Sequence, residues 1–137
     1  MSTTLALAAG GAFVFVILAG AAVLIRRKRA IKVEYFQEQW KVLQKMCSDR
    51  ESWAEAVTGA DQLLDKALKK RRIGGKTMGE RMVRAQRQFS DNDGVWFGHK
   101  LRSKIDSEPD VKLKENEVKS ALIAFRQALK DLGALPK

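Results

Sequence analysis

The chain holds 137 residues, enough for one compact unit, with 26 Lys and Arg against 16 Asp and Glu for a formal net charge of +10. Although 45% of the residues are hydrophobic, every charged side chain falls between positions 26 and 137. That distribution excludes an ordinary soluble globule and a disordered chain, and a single cysteine, Cys47, excludes a disulfide-built scaffold.

Residues 5–25 are 21 positions without a polar or charged side chain, among them Leu5, Phe13, Phe15, Ile17, Leu24 and Ile25. As a helix the run would measure about 31 Å, close to the roughly 30 Å hydrocarbon thickness of a bilayer. A cleaved signal peptide fits less well. No Lys or Arg precedes the run, although Ala19-Gly20-Ala21 resembles a cleavage site. Arg26, Arg27, Lys28 and Arg29 follow it directly, with Lys32 close behind. Basic flanks stay on the cytoplasmic side, so the N-terminus should face outward. The expected organisation is a transmembrane anchor with its basic flank over 1–29 and a cytoplasmic domain over 30–137, in a plasma (inner) membrane crossed once.

From residue 30 onward, apolar residues recur at helical spacing. A first helix over about 30–47 carries Val33, Phe36, Trp40, Leu43 and Cys47 on one stripe. No Gly or Pro lies between Ala21 and Thr58, so nothing in the sequence prevents this helix from continuing straight out of the membrane. Ser48 and Glu51 have the spacing of a capping box for a second helix, striped by Trp53, Val57, Ala60, Leu64 and Ala67 and ended by Gly74-Gly75. Thr77 and Glu80 repeat that box for a third, with Met78, Met82, Ala85 and Phe89. The polar turn at 90–94 offers several caps for a fourth helix over about 95–106. After a break at Glu108-Pro109-Asp110, a last helix over about 114–132 carries Val118, Ala121, Leu122, Phe125, Ala128, Leu129 and Leu132, and Gly133 stops it. No stretch alternates as a strand would. The fold class expected is all-α, a transmembrane helix followed by an antiparallel bundle of four to five helices.

Motifs that suggest chemistry fail on geometry. Gly75-Lys76-Thr77 has the ending of a phosphate-binding loop, but Lys70 stands where the first glycine belongs. Aligning Gly94 with a calcium loop puts Phe89 and Lys100 at ligand positions. One His and one distant Cys are too few for zinc. His99 is the sole histidine and reads as a structural or surface residue. Nine basic residues between Lys66 and Arg87 face a single acid, Glu80. From this cluster Lys69, Lys70, Arg71, Arg72 and Lys76, with Arg102 beyond it, are the candidate anion-binding residues. The plainest reading is a solvated face that follows the positive-inside tendency; of the sharper ones, anionic lipid head groups suit the cluster better than nucleic acid, because no aromatic residue interleaves with it.

The stretch from Trp96 to Glu108, followed by an amphipathic helix, resembles HEPN-type helical bundles, and in particular small membrane-anchored bacterial proteins with a similar C-terminal half. The resemblance covers about residues 89–135. Ribonuclease members carry an Arg, four to six residues, then a His. Arg102 and Ser103 match the start, whereas Ser107, Glu108 and Pro109 occupy the three places open to the His. The resemblance therefore implies a binding bundle that lacks the catalytic histidine, of a kind that often dimerises.

No catalytic, cofactor or metal residues are nominated, and no cofactor is expected. The reading is a membrane-anchored, non-enzymatic interaction or scaffold protein. Its partners would be the bilayer, anionic head groups, and a protein partner or second copy, with nucleic acid behind these. The alternative is a degenerate HEPN-like nucleic-acid module or a membrane-tethered ribonuclease.

Overall fold

Spacings of three and four apolar residues are realised in five α-helices of a computed structural model that describes residues 31–137 together with Leu18. These are α1 (Val33–Met46), α2 (Trp53–Lys70), α3 (Met78–Ala85), α4 (Asn92–Ser107) and α5 (Glu115–Asp131), with short 3-10 turns at Arg50–Ser52 and Gln86–Gln88. No strand occurs among the described residues. Apart from Leu18, the expected membrane span and the basic tetrad Arg26, Arg27, Lys28 and Arg29 lie outside the described residues. Among the described residues, no helix is long and apolar enough to cross a membrane.

Residues Ile31–Lys137 make one compact unit. Within it α2 is central, packing against α1, α3, α4 and α5. Its apolar face (Ala56, Val57, Ala60, Leu63, Leu64, Ala67 and Leu68) is buried. Phe36, Trp40 and Leu43 of α1 and Val118, Leu122, Phe125 and Leu129 of α5 close over that face. Each such fully buried large side chain contributes about 1.5–3 kcal/mol. The helix ends show the directions. Asp131 at the end of α5 accepts the Ser90 backbone N–H at 2.8 Å just before α4, so α4 and α5 run antiparallel. Gly98 on α4 lets the two helices approach, since a Cβ there would lie 2.7 Å from the Phe125 ring.

Several helix boundaries differ from the sequence expectation, each for a local reason. The first helix does not run in from upstream: Lys32 is extended (φ −82°, ψ 95°) and α1 begins at Val33. The Ser48–Glu51 box does not form. The Ser48 hydroxyl donates backward to the Lys45 carbonyl at 2.9 Å, and Asp49 accepts the Glu51 N–H at 3.1 Å instead. Trp53 Nε1 then donates to the Cys47 carbonyl at 2.9 Å and ties the turn to the start of α2. The Thr77 cap does form, accepting the Glu80 N–H at 3.2 Å, while Glu80 reaches one residue further back, to the Lys76 N–H. Asp91 caps α4 by accepting the Gly94 N–H at 3.0 Å, which starts that helix earlier than its apolar stripe does.

The two C-terminal stops contrast. At α5 the Gly133 N–H donates to Lys130 and the Ala134 N–H to Leu129, a Schellman closure with glycine at φ 75°. The second helix ends in the same closure, before Gly74-Gly75 rather than at it. The Arg72 N–H donates to Lys69 and the Ile73 N–H to Leu68, with Arg72 itself at φ 57°. A left-handed conformation costs a non-glycine residue about 1–2 kcal/mol, and Arg72 is exposed. Arg72→Gly should therefore stabilise the protein by about 0.5–1 kcal/mol in urea unfolding. A loss of stability would show that this backbone position is not strained.

Candidate functional site

The second helix carries an acid where its apolar stripe calls for a hydrophobe: Asp61 is flanked by Val57, Ala60, Leu64 and Leu68 and is fully buried. An unpaired carboxylate could not stay ionised there. Its partners come from α4, one turn apart. His99 Nδ1 lies 2.8 Å from Asp61 Oδ1, and Arg102 Nη1 donates to Asp61 Oδ2 at 2.7 Å. Arg102 Nε also sits 2.7 Å from Asp106 Oδ2, a charge contact without an aligned hydrogen bond. The Trp96 ring meets the His99 ring edge-on at 5.9 Å, and Ser103 Oγ donates to the His99 carbonyl. His99 and Arg102 keep only 19% and 24% side-chain exposure, so the cluster opens to solvent through a narrow rim.

This arrangement holds one carboxylate against an imidazole and a guanidinium. It can lock α4 onto α2, and Asp61 can orient the imidazole. It presents little free positive charge, because Arg102 is shared between two carboxylates. The sequence points to Arg102 and to His99 but not to Asp61. The available signal was an acidic residue in the middle of an apolar stripe.

The basic segment divides in two on folding. Arg81 is buried and clasps Asp65 with Nε and Nη2 at 2.7 and 2.9 Å, while its Nη1 donates to the Gly75 carbonyl at 2.8 Å. Lys69 lies 3.5 Å from the same carboxylate. Burial alone would raise the Asp65 pKa, but the Arg81 hydrogen bond and charge, with Lys69, outweigh it and hold the carboxyl below its usual range. Arg71 Nε donates to the Leu132 carbonyl at 2.6 Å, a cation at the open carbonyl end of α5. Lys66 Nζ donates to the Tyr35 hydroxyl at 2.7 Å. Lys70, Arg72, Lys76, Arg84 and Arg87 are exposed, and their side chains make no ion pair among the described residues. Of the nominated anion-binding residues, then, Lys69, Arg71 and Arg102 engage other parts of the protein, and Lys70, Arg72 and Lys76 face solvent.

No group of three or more His, Cys, Asp and Glu among the described residues has a metal-binding arrangement. Cys47 is half-buried, its thiol pKa raised by that burial, and its Sγ donates to the Leu43 carbonyl. Comparison with known protein families, with curated proteins and with solved structures finds no match.

Removing Asp61 leaves the Arg102 guanidinium without one of its counter-charges and the His99 ring without its hydrogen-bond partner. Asp61→Ala should cost roughly 1–3 kcal/mol in urea unfolding, since Arg102 keeps Asp106 and some contact with solvent, and a loss under about 0.5 kcal/mol would mean the cluster does not hold α4 in place. Asp65 generates a pH dependence. Its folded pKa lies below the ordinary 3.8, so its stabilisation is complete above that value and is lost as pH falls through the lower folded one. Asp65→Asn should flatten the acid limb of the stability profile below about pH 4, the remaining slope belonging to Asp131, whose pKa is lowered as well. An unchanged acid limb would rule this out.

Proposed function

We propose that this chain is a single-pass membrane protein, N-terminus outward, whose helical bundle works on the cytoplasmic side as a non-enzymatic interaction module. The observation that carries the reading is the commitment of His99 and Arg102 to Asp61. Chemistry on a phosphate ester needs a cation open to the phosphate and a base open to the proton. Here the guanidinium already contacts two carboxylates. What remains for recognition is the exposed basic set Lys70, Arg72, Lys76, Arg84 and Arg87. A bundle tethered by a span over 5–25 works at high effective concentration beside its own leaflet. Near an anionic leaflet each such side chain contributes on the order of 1 kcal/mol. A protein partner or second copy would then meet the bundle at the membrane surface.

A second reading, a HEPN-like nucleic-acid module or tethered ribonuclease, draws support from one observation. His99 and Arg102, one turn apart, converge on a shared carboxylate that could orient the imidazole. It ranks second because Ser107, Glu108 and Pro109 stand where that family's histidine would be.

A C-terminal alkaline phosphatase fusion should be inactive and a C-terminal fluorescent-protein fusion should glow. Residues 31–137 should co-sediment with anionic vesicles, release as salt rises toward about 0.5 M, and leave RNA intact. An active phosphatase fusion would put the bundle outside the cytoplasm and end the first reading. RNA cleavage abolished by Arg102→Lys would replace it with the second.

A further inference from the structure

Between α1 and the C-terminal end of α5 lies a cleft of about 340 Å³ whose charged side chains are all basic. Lys41 projects from α1, Arg126 and Lys130 from successive turns of α5, and Lys137 from the tail. None of the four makes an ion pair among the described residues. The nearest acid in sequence, Asp131, lies beside Lys130 and Lys137 on the neighbouring surface and feels the Lys137 charge, but its oxygens are bonded elsewhere. Its Oδ2 accepts the N–H and hydroxyl of Ser90 at 2.8 and 2.9 Å, and its Oδ1 accepts Gln127 Nε2 at 3.0 Å. Gln37 and Gln44 bracket Lys41 along α1 and add neutral donors to the same wall.

Solvated cations on a helix normally spread apart or alternate with acids. Here like charges stand at i,i+4 on α5, a destabilising spacing, and a further lysine faces them across a concavity. A concave wall of one sign concentrates the opposite charge. An ion with several oxygen acceptors relieves that repulsion, and guanidinium and amide donors suit phosphate oxygens. The volume lies at the small end of ligand pockets, which fits a compact group and not a polymer. Trp40, Leu135 and Pro136 supply an apolar side on which the rest of such a molecule can rest.

We propose that this cleft binds a small phosphorylated anion carrying two or more negative charges. The phosphate enters among Lys41, Arg126, Lys130 and Lys137, and its source is either a soluble phosphate compound or a lipid head group. The site shares no residue with the Asp61 cluster or with the basic segment between Lys66 and Arg87. It stands or falls separately from the membrane-surface reading.

The test uses the full chain in neutral detergent, with pyrophosphate titrated by calorimetry at low salt. The expected result is saturable binding of about one ion per chain, weakened at least about tenfold by Arg126→Gln with Lys130→Gln. The control pair Lys100→Gln with Lys104→Gln, exposed on α4 and away from the cleft, should leave the affinity within about twofold. Lys41→Gln with Lys137→Gln is the second cleft variant, used if the first fails to fold. Micelles doped with phosphatidic acid form the lipid arm. Competition with pyrophosphate in the wild type, absent in the cleft variant, identifies a head group as ligand, and binding of pyrophosphate without such competition identifies a soluble one. Lack of saturable binding in both arms, or an equal loss in the cleft and control variants, overturns the proposal.

Discussion

A carboxylate without solvent exposure cannot stay charged on its own, and Asp61 is such a group at the centre of the bundle. Its two oxygens must be met from another element, and a helix bearing partners one turn apart can supply both. The fourth helix does so with His99 and Arg102. Once those contacts hold α4 against α2, Gly98 comes to face the Phe125 ring and α5 can close on the same core. A hydrophobe at position 61 would pack well but would leave the rotation of α4 less determined. Replacing a buried ion pair by well-packed apolar residues is often neutral in stability, whereas removing one partner alone is costly.

The far end of α5 is secured by the same kind of interaction. Arg71, beyond the end of α2, donates to the Leu132 carbonyl, and Asp131 accepts from Ser90 before α4 begins. Polar clasps thus register helices that apolar packing alone would leave free to slide. They also change the meaning of the net charge of +10. A run of nine basic residues in sequence becomes internal fastenings at Arg71 and Arg81 and an exposed group around the 70–76 turn. A second basic surface, the Lys41–Arg126–Lys130 cleft, is assembled from positions some 85 residues apart, which no local count of charge can register.

The helices themselves were legible because burial against a core imposes a period of 3.6 residues, and Phe36, Trp40, Leu64, Phe125 and Leu129 follow it. Their ends were less so. Ser48 and Asp49 are both competent caps, and the choice depended on where Trp53 could reach back to the Cys47 carbonyl. Gly74-Gly75 has the composition of a helix stop, yet the chain turns at Arg72, because the end of α2 is set by Ile73 reaching back to Leu68. Such decisions turn on fractions of a kcal/mol between neighbouring residues, and tertiary contacts are larger than that.

Periodicity and charge alone establish an all-helical chain from residue 30 onward, the apolar face of each helix, and a strong basic excess, because each follows from residue type at short range. Which acids meet which bases lay outside their reach. Nothing local in the sequence ties Asp61 to His99 and Arg102 before folding sets α4 across α2. The cost of burying an ion depends on every group around it, and those groups come from helices whose contacts cross 38 and 41 residues of sequence. Only the tertiary arrangement could decide that pairing.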